Sequence, residues 1–317
     1  MSRQVRVGVI FGFAIGAGVA VQGRINGALG ARLEDGITAA TISFGTGLVV
    51  LALVFAVSGR VREGARRVRG ALSEGSLRPW QLLGGLCGAF FVACQGLTVA
   101  AIGVTAFTVA TVAGQLISSL VVDRLGLGPS GRTPITVVRS AGAALGVVAV
   151  LVAGLGHARA TGGLSVPDAL NGAPTALLII LPALAGIGLA WQQAVNGKVG
   201  AVGGAISAAT VNFCVGLAAL SVLTAAVVAT SGGPAEFPTE PWLYLGGLIG
   251  VSFIALAALT VRWIGVLLLG LTSVAGQLLA SLVLDVFTPT SAGLSATAVV
   301  GCVLTLVAVA VATRSQS

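Results

Sequence analysis

Apolar residues fill the chain in runs of about 20, the length that crosses a bilayer as a helix, separated by short stretches that carry most of the charge. Ten runs are predicted as membrane spans: 5–29, 37–58, 79–101, 103–122, 135–155, 175–197, 204–229, 242–261, 263–285 and 293–313. No closed-barrel pattern is present, so helices are the remaining way to satisfy the backbone in lipid. Spans three and four are joined by little more than Ile102-Gly103, and spans eight and nine by Ile264-Gly265.

The pattern occurs twice. Pro79-Trp80, Leu83-Gly84-Gly85-Leu86 and Gly88 return, always 162 positions on, as Pro241-Trp242, Leu245-Gly246-Gly247-Leu248 and Gly250. In the same register, Ala113-Gly114-Gln115-Leu116, Ser119-Leu120-Val121 and Asp123 return as Ala275-Gly276-Gln277-Leu278, Ser281-Leu282-Val283 and Asp285. Gly16 to Ala31 likewise matches Gly186 to Ala201. An internal repeat fixes architecture before any single residue is interpreted. Five spans per repeat is an odd number, so the halves face opposite ways, the inverted-repeat plan of secondary transporters. The expected fold is an all-α membrane protein of ten transmembrane helices in two inverted five-helix repeats. Its parts are 1–156, an outer connecting loop at 157–174, and 175–317.

Composition agrees. Of 317 residues, 56% are hydrophobic and 8% charged, against about 25% charged in soluble domains. The net charge of +8 does not point to nucleic acid, because the arginines sit between apolar runs. With ten spans, one side receives Arg3, Arg6, the group from Arg60 to Arg78, Arg124, Arg132, Arg139, Lys198, Arg262 and Arg314. The other receives Arg24, Arg32 and Arg159, with Glu34, Asp35, Asp168, Glu236, Glu240 and Asp285. The positive-inside rule then places both termini in the cytoplasm. The Arg60–Arg78 stretch reads as a solvated cytoplasmic loop that anchors topology, with an acidic partner or anionic lipid as the weaker option. Cys87, Cys94, Cys214 and Cys302 lie in apolar runs without a CxxC and read as small hydrophobes. His157, the lone histidine, falls in a loop. The start, Met1 to Arg6 before an apolar run, mimics a signal peptide, but the repeat argues for a retained first span.

Polar side chains inside spans are costly and face a cavity or another helix. Thr111, Gln115, Ser119 and Asp123 follow at intervals of four, as do Ser273, Gln277, Ser281 and Asp285. Such spacing puts each set on one helix face, with glutamine near mid-bilayer and aspartate at the exit. The functional expectation is a water-filled cavity lined by both stripes, with the aspartates as candidate coupling or gating groups. The structural counterpart is interhelical hydrogen bonding, and for the aspartates pairing with an arginine such as Arg124. Gln22 with Asn26, and Gln192 with Asn196, form the second candidate site. Carboxamides offer donors and acceptors without charge, which suits a neutral or zwitterionic solute or a cation held by dipoles. Arg24 and Lys198 are expected to snorkel. Trp191 and Trp263 are candidates for stacking a substrate, with interfacial anchoring the competing role for Trp263. Gly12xxxGly16, Gly84xxxGly88, Gly142xxxGly146 and Gly246xxxGly250 are close-approach faces. Pro182 and Gly12 are paired weak points that could act as hinges.

No P-loop, HExxH or GxSxG occurs, and no acidic residue lies in the middle of a span. ATP-driven transport and hydrolysis are not expected, nor are a cofactor, a metal or catalytic residues.

These features resemble the drug/metabolite transporter superfamily. Gly114-Gln115-Leu116, Ser119-Leu120 and Asp123-Arg124-Leu125-Gly126-Leu127-Gly128 look like the signature of its YdcZ-like branch, a family of inner-membrane exporters. The branch would carry a His-Phe pair after the aspartate, where this chain has Arg124-Leu125. The small multidrug exporters look like relatives whose functional residue is a glutamate in the first helix. This chain has Gln22 and Asn26 there, so the resemblance implies fold and transporter class without implying proton exchange. It implies a multi-pass protein of the bacterial cytoplasmic membrane whose partners are the bilayer and a small-molecule substrate, and it leaves a homodimer open. The leading expectation is a secondary transporter that exports a small metabolite or drug by alternating access. The alternatives are a lipid or lipid-linked sugar flippase, with Arg24 and Lys198 as phosphate ligands, and a non-transporting scaffold with a dry core.

Overall fold

The structure is a computed structural model and describes residues 3–138, 140–145, 147–148, 175–234, 236–287, 300, 303, 304 and 307. Residues 149–155 of predicted span five, most of predicted span ten, the connecting loop, His157, Cys302 and the C-terminal arginine lie outside them, as does the side chain of Asp285. Among the described residues there is no strand. Among the described residues, seven helices with defined bounds follow in order: α1 (Arg3–Leu33), α2 (Gly36–Val57), α3 (Gly59–Ser73), α4 (Gly84–Leu125), α5 (Thr175–Gly203), α6 (Ala205–Ser231) and α7 (Gly246–Phe287). Single 3-10 turns at Pro79–Leu82 and Pro241–Tyr244 introduce α4 and α7. Among the described residues, five stretches are long and apolar enough to cross a membrane.

Local chemistry sets the boundaries. Asp35 caps α2 by accepting from the Ile37 and Thr38 amides at 2.9 and 3.0 Å, which satisfies donors that a helix start otherwise leaves bare. Gly126 ends α4 in the left-handed region, at φ 69°, and lets the Leu127 amide reach back to the Val122 carbonyl at 3.2 Å.

Helices α4 and α7 are each 42 residues long, which would make a straight rod about 63 Å long. Neither is straight. The Phe91 and Phe107 rings meet at 5.6 Å, tilted by 52°, although 16 residues of continuous helix would hold them about 24 Å apart. In α7 the break is explicit: Gly265 takes φ 72° and ψ 174°, a conformation that costs a residue with a Cβ dearly. The chain doubles back there. Asn26 lies beside Gly246 while Phe13 lies beside Gly276, so 30 residues of α7 are matched by 13 of α1. The brief joint at Ile264-Gly265 is thus a reversal inside a hairpin, and α4 reverses between Phe91 and Phe107.

Contacts between the halves are reciprocal. Gly16 packs on the Ser273 carbonyl, and Gly186 packs in the same way on the Thr111 carbonyl. Gly246 and Gly250 abut Asn26 and Gln22, while Gly84 and Gly88 abut Asn196 and Gln192. Phe44 and Phe213, at matching positions of the sequence repeat, meet with ring centroids 4.7 Å apart and planes tilted by 32°.

The Arg60–Arg78 stretch departs from expectation. It is no solvated loop: Gly59–Ser73 forms α3, capped by Ser58, with Gly64, Val68 and Ala71 buried. Apolar residues at three- and four-residue spacing outweigh the arginines there, because they have a face of α5 and α6 to bury against. Both α1 and α5 run unbroken past Gly12 and Pro182.

Candidate functional site

Gln22 and Asn26 stand one turn apart on α1 and are 2% and 0% exposed. Gln22 Nε2 donates to the Gly246 carbonyl at 2.9 Å, and Asn26 Nδ2 donates to Gln95 Oε1 at 2.9 Å. On α5, Gln192 Nε2 and Asn196 Nδ2 both donate to Asn212 Oδ1, at 3.0 and 2.9 Å. The sequence pairs thus become two carboxamide triads: Gln22, Asn26 and Gln95, then Gln192, Asn196 and Asn212. Glycines of α4 and α7 at each triad leave the space that the amide groups occupy.

Gln95 and Asn212 were not anticipated. Position 257, matching Gln95, is alanine, so the 162-residue repeat does not flag it. Asn212 had a signal: Thr41-Ile42-Ser43-Phe44 and Gly47 return as Thr210-Val211-Asn212-Phe213 and Gly216. Ser43 takes the matching place beside Gly246, next to Asn26.

Each triad has polar atoms to spare. Gln22 Oε1, Asn26 Oδ1 and Gln95 Nε2 in one, and Gln192 Oε1 and Asn212 Nδ2 in the other, have no hydrogen-bond partner among the described residues. Gln193 Oε1 and Thr260 Oγ1 share that condition.

The stripes lie on the return arms of the hairpins. Thr111, Gln115 and Ser119 of α4 and Ser273, Gln277 and Ser281 of α7 are all at most 6% exposed. Gln115 approaches Gly270 of α7, so the stripe of one half reaches the opposing return arm. Ser119 Oγ donates to Leu116 of its own helix at 2.8 Å, whereas Thr111 Oγ1, Gln115 Oε1 and Ser281 Oγ are unpartnered.

Asp123 is a buried helix-capping group. Its carboxylate accepts from the amides of Val266 and Leu267 at 3.2 Å each, the first amides after the Gly265 break. A carboxylate at a helix N-terminus meets both unsatisfied donors and the positive end of the dipole. Arg124, the partner expected for it, points to the exposed side.

Trp191 stacks on Trp80 at 6.3 Å and Trp263 on Phe11 at 6.1 Å, so protein rings already cover both. Arg24 and Lys198 are half-buried. Cys87 packs against Gly188, as a small hydrophobe would. Among the described residues no His/Cys/Asp/Glu group could hold a metal ion.

The family model described as "Putative inner membrane exporter, YdcZ" matches residues 7–152 and 177–311. The chain belongs to the YdcZ family. This is a family of membrane exporters, not of enzymes. One solved crystal structure shares the fold with a TM-score of 0.59 and 22% identity over 97% of this chain and 96% of that chain. No curated protein is significantly similar in sequence.

Proposed function

We propose that this YdcZ-family protein is a secondary transporter that exports a small neutral, zwitterionic or cationic metabolite or drug by alternating access, along a path that touches both carboxamide triads. The observation that carries this is the surplus of buried polar atoms. Among the described residues, ten side-chain nitrogens and oxygens are buried without a partner. At about 1–3 kcal/mol each, a dry core would forfeit roughly 10–30 kcal/mol, more than the roughly 5–15 kcal/mol that holds a protein folded. Water or a solute must meet them. That weighs against a dry scaffold. Five of the ten are amide oxygens and two are amide nitrogens, a lining that favours hydrogen-bond donors such as an ammonium over an anion.

Reciprocal packing supports a ten-helix inverted plan. Gly84 meets Asn196 and Gly88 meets Gln192, so the first arm of α4 opposes α5; Gly246 meets Asn26 and Gly250 meets Gln22, so the first arm of α7 opposes α1 in the same way. Arginine distribution supports cytoplasmic termini. A flippase would need cationic groups for a phosphate, and the triads contain none.

The test is export from proteoliposomes loaded with a panel of amines, amino acids and neutral metabolites. Efflux of at least one solute, lost in Gln22→Leu and Gln192→Leu variants that remain folded, is expected. Efflux of none, or equal efflux by both variants, overturns the proposal.

A further inference from the structure

Helix α3 has no counterpart in the second half, where residues 232–240 alone link α6 to the Pro241–Tyr244 turn. It begins where α2 ends: Val57 is 84% exposed at the last turn of that apolar helix. On the membrane reading of α2, α3 lies at headgroup level. Its buried residues seat it firmly. Gly64 packs on the Gly203 carbonyl, Arg67 Nε donates to the Val202 carbonyl at 3.1 Å, and Arg62 Nη1 donates to the carbonyls of Phe55 and Ala56 at 3.0 and 2.6 Å.

Two features remain unused by this seating. Arg66 and Arg69 stand three residues apart, in line with the seated Arg62, and so form a cationic row along one edge of the helix. Arg66 reaches only Glu63, at 3.2 Å, with its side chain 76% exposed. Arg69 is exposed and makes no hydrogen bond or ion pair among the described residues. Next to that edge, half-exposed Val61, Ala65 and Leu72 form an apolar strip. The strip opens on a cleft of about 80 Å³ lined by Phe55, Val61, Ala65, Val68 and Val211, with the hydroxyl residues Ser207 and Thr210 beside them. That is well below the roughly 300–1,000 Å³ of a small-molecule site, yet it suits a stretch of hydrocarbon chain. Cationic row and apolar slot lie side by side where α2 leaves the bilayer.

We infer that α3 and this cleft hold an anionic glycerophospholipid, its phosphate on Arg66 and Arg69 with Arg62 alongside, and part of an acyl chain between Phe55 and Val211. Basic side chains on an interfacial helix draw anionic headgroups, and the cleft selects a lipid over a free anion. The site binds lipid whether or not the triads carry a solute.

The experiment uses the delipidated full chain in a neutral detergent and native mass spectrometry with dioleoyl phosphatidylglycerol, dioleoyl phosphatidylcholine and inorganic phosphate. Phosphatidylglycerol should bind in preference to phosphatidylcholine. Arg66→Gln/Arg69→Gln should weaken it about 30-fold, from roughly fivefold per basic side chain at an anionic surface. Ala65→Phe, which fills the cleft, should weaken both lipids, and Arg66→Lys/Arg69→Lys should keep most of the preference. Equal binding of the two lipids, phosphate binding as tightly as phosphatidylglycerol, or unchanged affinity in the glutamine variant with its helicity intact would overturn the assignment.

Discussion

Replacing Gly16 by alanine puts a methyl group where the Ser273 carbonyl oxygen already sits; at Gly186 the obstacle is the Thr111 carbonyl. Neither obstacle is a side chain that can rotate away, so α1 and α5 must move off the return arms of α7 and α4. Overpacking of this kind costs about 1–3 kcal/mol, and an obstructing backbone places it at the upper end. Alanine returns about 1 kcal/mol of helix propensity, which leaves a net loss of about 1–2 kcal/mol at each site. Gly45 supplies the control, since nothing lies within 4 Å of its would-be Cβ. Gly45→Ala should gain up to about 1 kcal/mol. Thermal unfolding of purified protein reads the difference, at about 2 °C per kcal/mol for a chain of this size. Gly16→Ala and Gly186→Ala should each lie several degrees below Gly45→Ala, and close to each other. If either matches the control, the backbone contact is wrong there; if only one falls, the reciprocity of the halves is wrong.

Three further outcomes follow from the same contacts. Asp123→Ala leaves the Val266 and Leu267 amides bare at a buried helix start and should cost about 2–3 kcal/mol; Asp123→Asn, which keeps one acceptor, should cost less, both read by thermal unfolding. Asn212→Leu strands the Gln192 and Asn196 donors and should cost about 2–4 kcal/mol, more than the same change at exposed Thr230. The Arg32–Glu240 ion pair spans 2.9 Å with side chains 60% and 36% exposed, so Glu240→Gln should shift stability by less than about 1 kcal/mol, again by thermal unfolding.

Much of the fold was legible because membrane helices announce themselves by length and apolarity, and because the chain repeats its glycine and carboxamide positions. Gln22, Asn26, Gln192 and Asn196 were readable for that reason. Their partners were not: Gln95 has alanine at its repeat position, and Asn212 echoes a serine, so a search for duplicated carboxamides passes over both. The role of Asp123 was hidden for another reason. Its partners are backbone amides 143 and 144 residues away, and no side-chain pattern encodes a backbone donor exposed by a glycine break. Helix α3 was masked by its arginines, whose charge suggested solvent although Gly64, Val68 and Ala71 already spelled a buried face.

The account rests on the spare carboxamide atoms having a ligand to meet. Ligand-dependent thermal stabilisation of the purified chain across a library of amines, zwitterions and neutral metabolites tests this most directly. A true ligand at a hundred times its Kd should add about 2.7 kcal/mol, and the gain should vanish in a folded Gln22→Leu/Gln192→Leu variant. Stabilisation by no member of the library, or stabilisation that the variant keeps in full, would contradict it.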